Sequence, residues 1–361
     1  MSSNIQNSKK RLVHLDLLRL ISIFLVIFNH TGDKGYMLFF ENMNSSLSFM
    51  YMTFSVFCKI AVPVFFMISG ALLLPKQESL RDLFCKRILR MVIVLVVISI
   101  PFYVWLHRDQ GLSIASFGAY IYGNSATTSL WYLYSYISFL LMLPFLRSMV
   151  KNMKEKDFWY LAIGYIVFVG VLPSIEYLLW HNSNTLHTDL SPALFTAQNV
   201  FFAIMGYYLE HILNSKHYNK NNSLWAIIFS IIAIFCTCLM TCYQSKIDVI
   251  CDGNQIERFF NSFICIPAMT MYFLIKCLGD KIKNEKTCRY ISILGTGVFG
   301  VYLIEKFIRA ILKVVYDVLF PIMGSFIASL IWSFSVLCIG MMIVIILKHI
   351  PVLRKIVNKF I

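Results

Sequence analysis

Apolar runs of about twenty residues recur along the entire chain, each near the length a helix needs to cross the hydrocarbon core of a bilayer. Ten segments qualify, at about 13–34, 49–75, 88–107, 129–150, 157–180, 194–213, 223–243, 257–278, 290–313 and 325–347. A lipid core offers the backbone no water to bond, so segments of this kind must satisfy their own amides as helices. Hydrophobic residues make up 58% of the 361 positions and charged residues only 14%, a balance a soluble domain of this length does not need. The expected class is all-α, a polytopic membrane protein of about ten transmembrane helices.

The formal charge of +14 would suit a nucleic-acid binder only if it were gathered on one face, and it is not. Most of the 32 Lys and Arg residues fall in alternate loops, around Lys9–Arg11, Arg81–Arg90, Arg147–Lys156, Lys216–Lys220, Lys276–Arg289 and Lys348–Lys359. The intervening loops hold only Lys34, Arg108, Lys246 and Arg258. By the positive-inside rule the basic loops, and with them both termini, are cytoplasmic. The basicity is thus topological, with some attraction to anionic headgroups of membrane lipids.

One domain is expected. Residues 1–12 read as a cytosolic tail, 13–349 as a single transmembrane domain and 350–361 as a basic cytosolic tail. The first apolar segment is followed by Asn29, His30 and Thr31 rather than a small-residue cleavage site, so it is expected to stay as an anchor. Cys236, Cys238 and Cys242 cluster without a histidine or a paired CxxC beside them. They read as small apolar residues, and no metal follows from them. Trp131, Tyr132, Trp159, Trp180 and Trp225 fall near span ends, as in an interfacial aromatic belt.

Few polar groups lie inside the spans. They are Asp16, Arg19, His30, Lys59, Glu176, Glu210, Glu305, Lys306 and Arg309. Arg19 and His30 are eleven positions apart, which at about 100° per residue returns to within about 20° of the same stripe. At about 1.5 Å rise per residue they are roughly 16 Å apart along the axis, with His30 well inside the bilayer. Such residues are costly in lipid and mark a working site, unless a neighbouring helix merely satisfies the histidine and the arginine snorkels. Asp16, three residues before Arg19, reads first as its local ion-pair partner. A neutral imidazole suits general-base work near neutral pH, and a carboxylate such as Glu305 would orient it if the fold brought the two together. In KIAVPVFFMISGALLLP, Pro63 interrupts the helix and Ser69-Gly70 permits close helix approach, which generic packing also explains. Arg87 and Arg90 stand one turn apart, able to grip phosphates or simply to anchor the loop.

Taken in order, D-x-x-R followed by ten residues and His30, the VPVFFMISG element, the R-x-x-R after it, SLWYLYSYISFLLMLPFL, FFAIMGYYLE and GVFGVYLIEK resemble the acyltransferase-3 family of integral membrane O-acyltransferases. The likeness runs nearly the length of the chain. It implies transfer of an acyl group, by default acetyl from acetyl-CoA, to a hydroxyl of a cell-surface polysaccharide or a lipid-linked sugar. It carries over Arg19 and His30 as essential residues; Asp16 and Glu305 are expected as supporting groups from their own positions, not from the resemblance. Arg87, Arg90 and Lys59 would lie toward the acyl-CoA donor, with no metal. One departure is Glu305, which stands where many relatives have a histidine. The rival readings are a transporter or flippase for a glycan, with the Arg–His stripe as a substrate or proton path, and a scaffold without chemistry. Spans six to ten do not echo one to five, which leans away from a repeat-built carrier.

Overall fold

The computed structural model describes residues 12–42, 45–109, 111–123, 128–181, 190, 192–247 and 257–349. Both expected tails, apart from Leu12, lie outside these. The described residues are predominantly helical, joined by short turns, with no strand among them. The principal helices are α1 Val13–Asn29, α2 Ser48–Cys58, α3 Ala61–Leu73, α4 Leu80–His107, α5 Trp131–Asn152, α6 Glu155–Trp180, α7 Gln198–Tyr207, α8 Lys220–Ile247, α9 Cys265–Gly279, α10 Glu285–Ile311 and α11 Lys313–His349.

Among the described residues seven helices are long and apolar enough to cross a membrane, counting α2 and α3 as one run with α4, α5, α6, α8, α10 and α11. The remaining expected spans fall on the shorter α1, α7 and α9. These three belong to the interior. Leu18, Ile23 and Phe28 of α1, Phe201 to Ile204 of α7 and Ala268 and Tyr272 of α9 have no exposed surface. α1 packs against α2, α3, α9, α10 and α11. Walled by other helices, such a segment need not match the lipid thickness itself. The outer helices instead expose apolar residues such as Val97, Phe145, Ile231 and Ile346, as a lipid-facing surface must.

Local chemistry sets the breaks. The second expected span is interrupted at Lys59 and Ile60, three residues before Pro63, whose ring cannot continue the ladder. α10 begins where the Asn284 side chain accepts from the Lys286 and Thr287 amides. α4 begins the same way, with Ser79 accepting from the Asp82 amide. Single π turns widen α4 at Phe84–Ile88 and α6 at Ile166–Val171, and a third follows α7 at Tyr208–Ile212. α11 is bent at Gly324, whose φ of 77° favours a residue without Cβ.

The tightest helix crossing is between α3 and α7. A Cβ on Gly70 would collide with the Ala203 backbone, and one on Gly206 with the Met67 backbone. This reciprocal contact gives the Ser69-Gly70 pair its packing role, since only glycine lets the two backbones approach so far. It seats α3 beside α1 as one wall of the cavity described next.

Candidate active site

Arg19 sits on the first turns of α1, where its Nη1 donates to Asp16 Oδ1 at 2.5 Å. Asp16 is fully buried and also accepts from Ser292 Oγ of α10 at 3.2 Å. Gly295 makes that approach possible, because a Cβ there would lie 2.5 Å from Asp16 Oδ1. The ion pair expected from the i, i+3 spacing is present. It leaves the rest of the guanidinium facing the cavity.

His30 lies at the other end of α1. The sequence suggested helix to residue 34, but α1 ends at Asn29 and His30 is its C-cap. The reversal is locked by Thr31, whose hydroxyl donates to the Phe28 carbonyl and accepts from the Tyr36 amide, and by Gly32 at a φ of 58°. The imidazole is therefore held at a helix end, by the turn as well as by its ring partner.

That partner is Glu305 of α10. His30 Nδ1 lies 2.8 Å from Glu305 Oε1, and Glu305 has no exposed surface. Arg309, one turn on, donates Nε to Glu305 Oε2 at 3.2 Å. Ser129 Oγ donates to Oε1 at 3.4 Å, and Ser129 is held in turn by Tyr302, whose hydroxyl donates to its carbonyl at 2.7 Å. A carboxylate only accepts, so Nδ1 carries the proton and the lone pair rests on Nε2. This is the arrangement that orients a general base.

Arg19 and His30 line one cavity of about 690 Å³, walled by α1, α3, α4, α5 and α10 and closed by the end of α11. One end is strongly basic, with Lys86, Arg87, Arg90 and Lys348 joining Arg19, and among the described residues no carboxylate lines it. Among the described residues Arg90 Nε is buried without a hydrogen-bond partner. The other end holds His30, Ser129, Trp131 and Tyr302, and Ser69, Tyr132 and Tyr136 lie along the wall. Tyr132 is therefore part of the cavity rather than of an interfacial belt.

The basic end is braced from outside the membrane-spanning segments. Arg87 donates Nε to both oxygens of Glu78, at 2.8 and 3.0 Å. Arg147 donates Nη2 to Glu78 Oε1 at 2.8 Å and also bonds the Leu73 carbonyl, capping α3. Partial burial raises the Glu78 carboxyl, but the two guanidiniums outweigh it and hold its pKa below the usual carboxylate value. The π turn at Phe84–Ile88 carries Lys86 and Arg87 on this face.

The other polar groups of the spans lie elsewhere. Lys59 is outside the cavity, paired with Glu257 and 5.4 Å from the centre of the Tyr36 ring. Glu210 is bound by His14 at 3.0 Å and by the Tyr272 hydroxyl at 2.8 Å, with Lys276 3.6 Å away. Glu176 is buried near the end of α6. The sequence pointed to Arg19, His30, Asp16, Glu305, Arg87, Arg90 and Lys59; the fold brings the first six to this cavity and its immediate support, and leaves Lys59, expected on the donor side, outside it on Glu257. It did not single out Lys86, Lys348, Ser129, Tyr136 or Tyr302. Their helical spacing alone could have flagged Tyr302, one turn before Glu305, and Tyr132 and Tyr136, one turn apart on α5.

No curated protein and no solved structure matches the chain. A protein-family comparison matches residues 12–350 to a family described as an acyltransferase domain. With nearly its whole length covered, and with the arginine–histidine cavity on that same stretch, the chain belongs to the acyltransferase-3 family of membrane acyltransferases.

Proposed function

We propose that this protein is an O-acetyltransferase of the cell membrane. It crosses ten times, has both termini in the cytoplasm, and forms a single catalytic domain over residues 13–349. Acetyl-CoA is the donor, and a hydroxyl of a cell-surface polysaccharide or lipid-linked precursor is the acceptor. The observation that carries the reading is a single cavity lined by five cations, three of them steadied by carboxylates behind the lining (Arg19 by Asp16, Arg87 by Glu78, Lys86 by Asp82), together with the Tyr132 and Tyr136 rings and a carboxylate-held imidazole. A cluster of guanidiniums and ammoniums suits the phosphates of a CoA thioester. The roughly 16 Å between Arg19 and His30 leaves room for an extended arm to reach the imidazole.

In this mechanism Arg87, Arg90, Lys86 and Lys348, with Arg19 steadied by Asp16, hold the donor's phosphates at the basic end, and the extended arm carries the thioester to His30. His30 Nε2 takes the proton of the acceptor hydroxyl as the oxygen attacks the thioester carbonyl. Glu305 stabilises the imidazolium that forms. The tetrahedral intermediate collapses with cleavage of the carbon–sulfur bond. The CoA thiolate leaves and recovers the proton from His30, so the products are an ester and free CoA.

Surface glycans from deletion cells complemented with wild type or His30→Ala test the reading by mass and proton NMR analysis. Esters present with the wild type and absent with a normally expressed variant are expected. Unchanged esters with altered glycan export would replace the enzyme by a transporter.

A further inference from the structure

Beyond the cavity, the α10 face that lines it continues outward with two cations. Thr296, Phe299 and Tyr302 line the cavity. Lys306 and Arg309 follow Tyr302 by four and seven residues, within about 40° of the same face and about 6 and 10 Å further along. Glu305, which holds His30, immediately precedes Lys306 in sequence. Arg309 uses Nε on Glu305, and among the described residues neither of its Nη groups has a carboxylate. The Lys306 ammonium meets no carboxylate among the described residues either. It lies 5.2 Å from the centre of the Phe102 ring, half-buried. Neighbouring Arg108 and Lys313 are each answered locally, by Asp109 at 3.6 Å and Asp317 at 3.5 Å. Of the two cations beside the imidazole, only Arg309 thus meets a buried carboxylate, and it does so through Nε alone, on the side where the ten-span topology expects few basic residues. A partly desolvated ammonium held only against a ring keeps its N–H donors open for a charge-assisted hydrogen bond to an anion.

We propose that the acceptor carries an anionic group, a phosphate or a carboxylate, beside the hydroxyl that is acylated, and that Lys306 and Arg309 hold it. The inference rests on the acyltransferase reading, and it names the acceptor as an acidic rather than a neutral sugar. With its hydroxyl at His30 Nε2, such an acceptor extends along α10 and sets its negative charge against the two cations. The anion then orients the hydroxyl as well as binding it.

The test locates the ester on the natural product. Glycans and lipid-linked sugars from deletion cells complemented with wild type are compared by mass and NMR, with phosphorus couplings separating phosphate-bearing residues from uronates. The ester is expected on, or adjacent to, a sugar carrying one of these anions, and the coupling decides which. In membrane vesicles of phosphatidylcholine, Lys306→Gln is expected to raise the KM for the isolated de-esterified acceptor about tenfold, with kcat changed far less, and Lys306→Arg to restore it. An ester on a neutral stretch with no adjacent anion overturns the inference and leaves the enzyme standing. So does a Lys306→Gln variant that folds and keeps the wild-type KM. Loss of no ester on deletion, with no acyl-CoA consumed, overturns the enzyme reading and this inference with it.

Discussion

Glu305→Gln is the substitution that most directly tests how the site works. The carboxylate is fully buried, 2.8 Å from His30 Nδ1 and 3.2 Å from Arg309 Nε. Glutamine keeps the shape and the packing, but it has one acceptor and one donor end. Arg309 can only donate, so the amide oxygen turns toward it and the amide NH₂ faces Nδ1. The imidazole must then accept at Nδ1 and place its proton on Nε2, where the cavity needs a lone pair. General-base catalysis contributes about 10²–10⁴-fold in favourable sites, and the wrong tautomer forfeits it. That corresponds to about 3–6 kcal/mol of activation free energy at about 1.4 kcal/mol per tenfold. The assay is single-turnover acyl transfer by the purified variant in lipid, with donor affinity measured separately. The expectation is a fall in kcat of at least about a hundredfold with acetyl-CoA binding retained, because Glu305 does not line the basic end. A folded Glu305→Gln enzyme with kcat within about threefold of wild type would refute the assignment of His30 as an oriented base.

Other parts of the site give separate expectations. Arg87→Ala and Arg90→Ala each remove a guanidinium from the basic end and should raise the donor KM about tenfold to a hundredfold, from about 1.5–3 kcal/mol per charged hydrogen bond. Unchanged KM in both would move the donor elsewhere. Gly206→Ala drives a Cβ into the Met67 backbone and should cost about 1–3 kcal/mol or more through overpacking. A lowered unfolding temperature in lipid checks it, and an unshifted transition would mean that the α3–α7 crossing can relax. Glu78 has a depressed carboxyl pKa, so its contribution to stability is complete above the unfolded value, near about 4.3. It is lost as pH falls from there through the lower folded value. Melting against pH should lose part of its acid-side slope in Glu78→Gln, and an unaltered slope would show that the two arginines do not depend on it.

Much of this was legible along the chain. Apolar run length, the alternation of basic loops, Pro63 and the Ser69-Gly70 pair are local properties. The helices fall where the runs lie, the second expected span breaks three residues before the proline, and the glycine is the point of closest approach. Asp16 and Arg19, three residues apart, meet as helical spacing requires. Less legible were the ends. α1 stops at Asn29 because Thr31 and Gly32 reverse the chain, a local turn signal outweighed in the span-length reading by the apolar run that precedes it. Lys59 resembled its cavity-lining neighbours in composition, yet it pairs with Glu257, which lies 198 positions away.

The sequence by itself determined an all-helical membrane chain with an arginine and a histidine on one helical stripe. Both follow from forces that act within a segment, namely backbone hydrogen bonding in lipid and the rise and twist of the helix. Tertiary structure decided which carboxylate the histidine meets, at a separation of 275 residues. It also decided which of the many basic residues gather around one cavity. Those choices depend on how α1, α3, α5 and α10 pack, and side-chain periodicity says which face a residue occupies without saying which helix comes to lie against it.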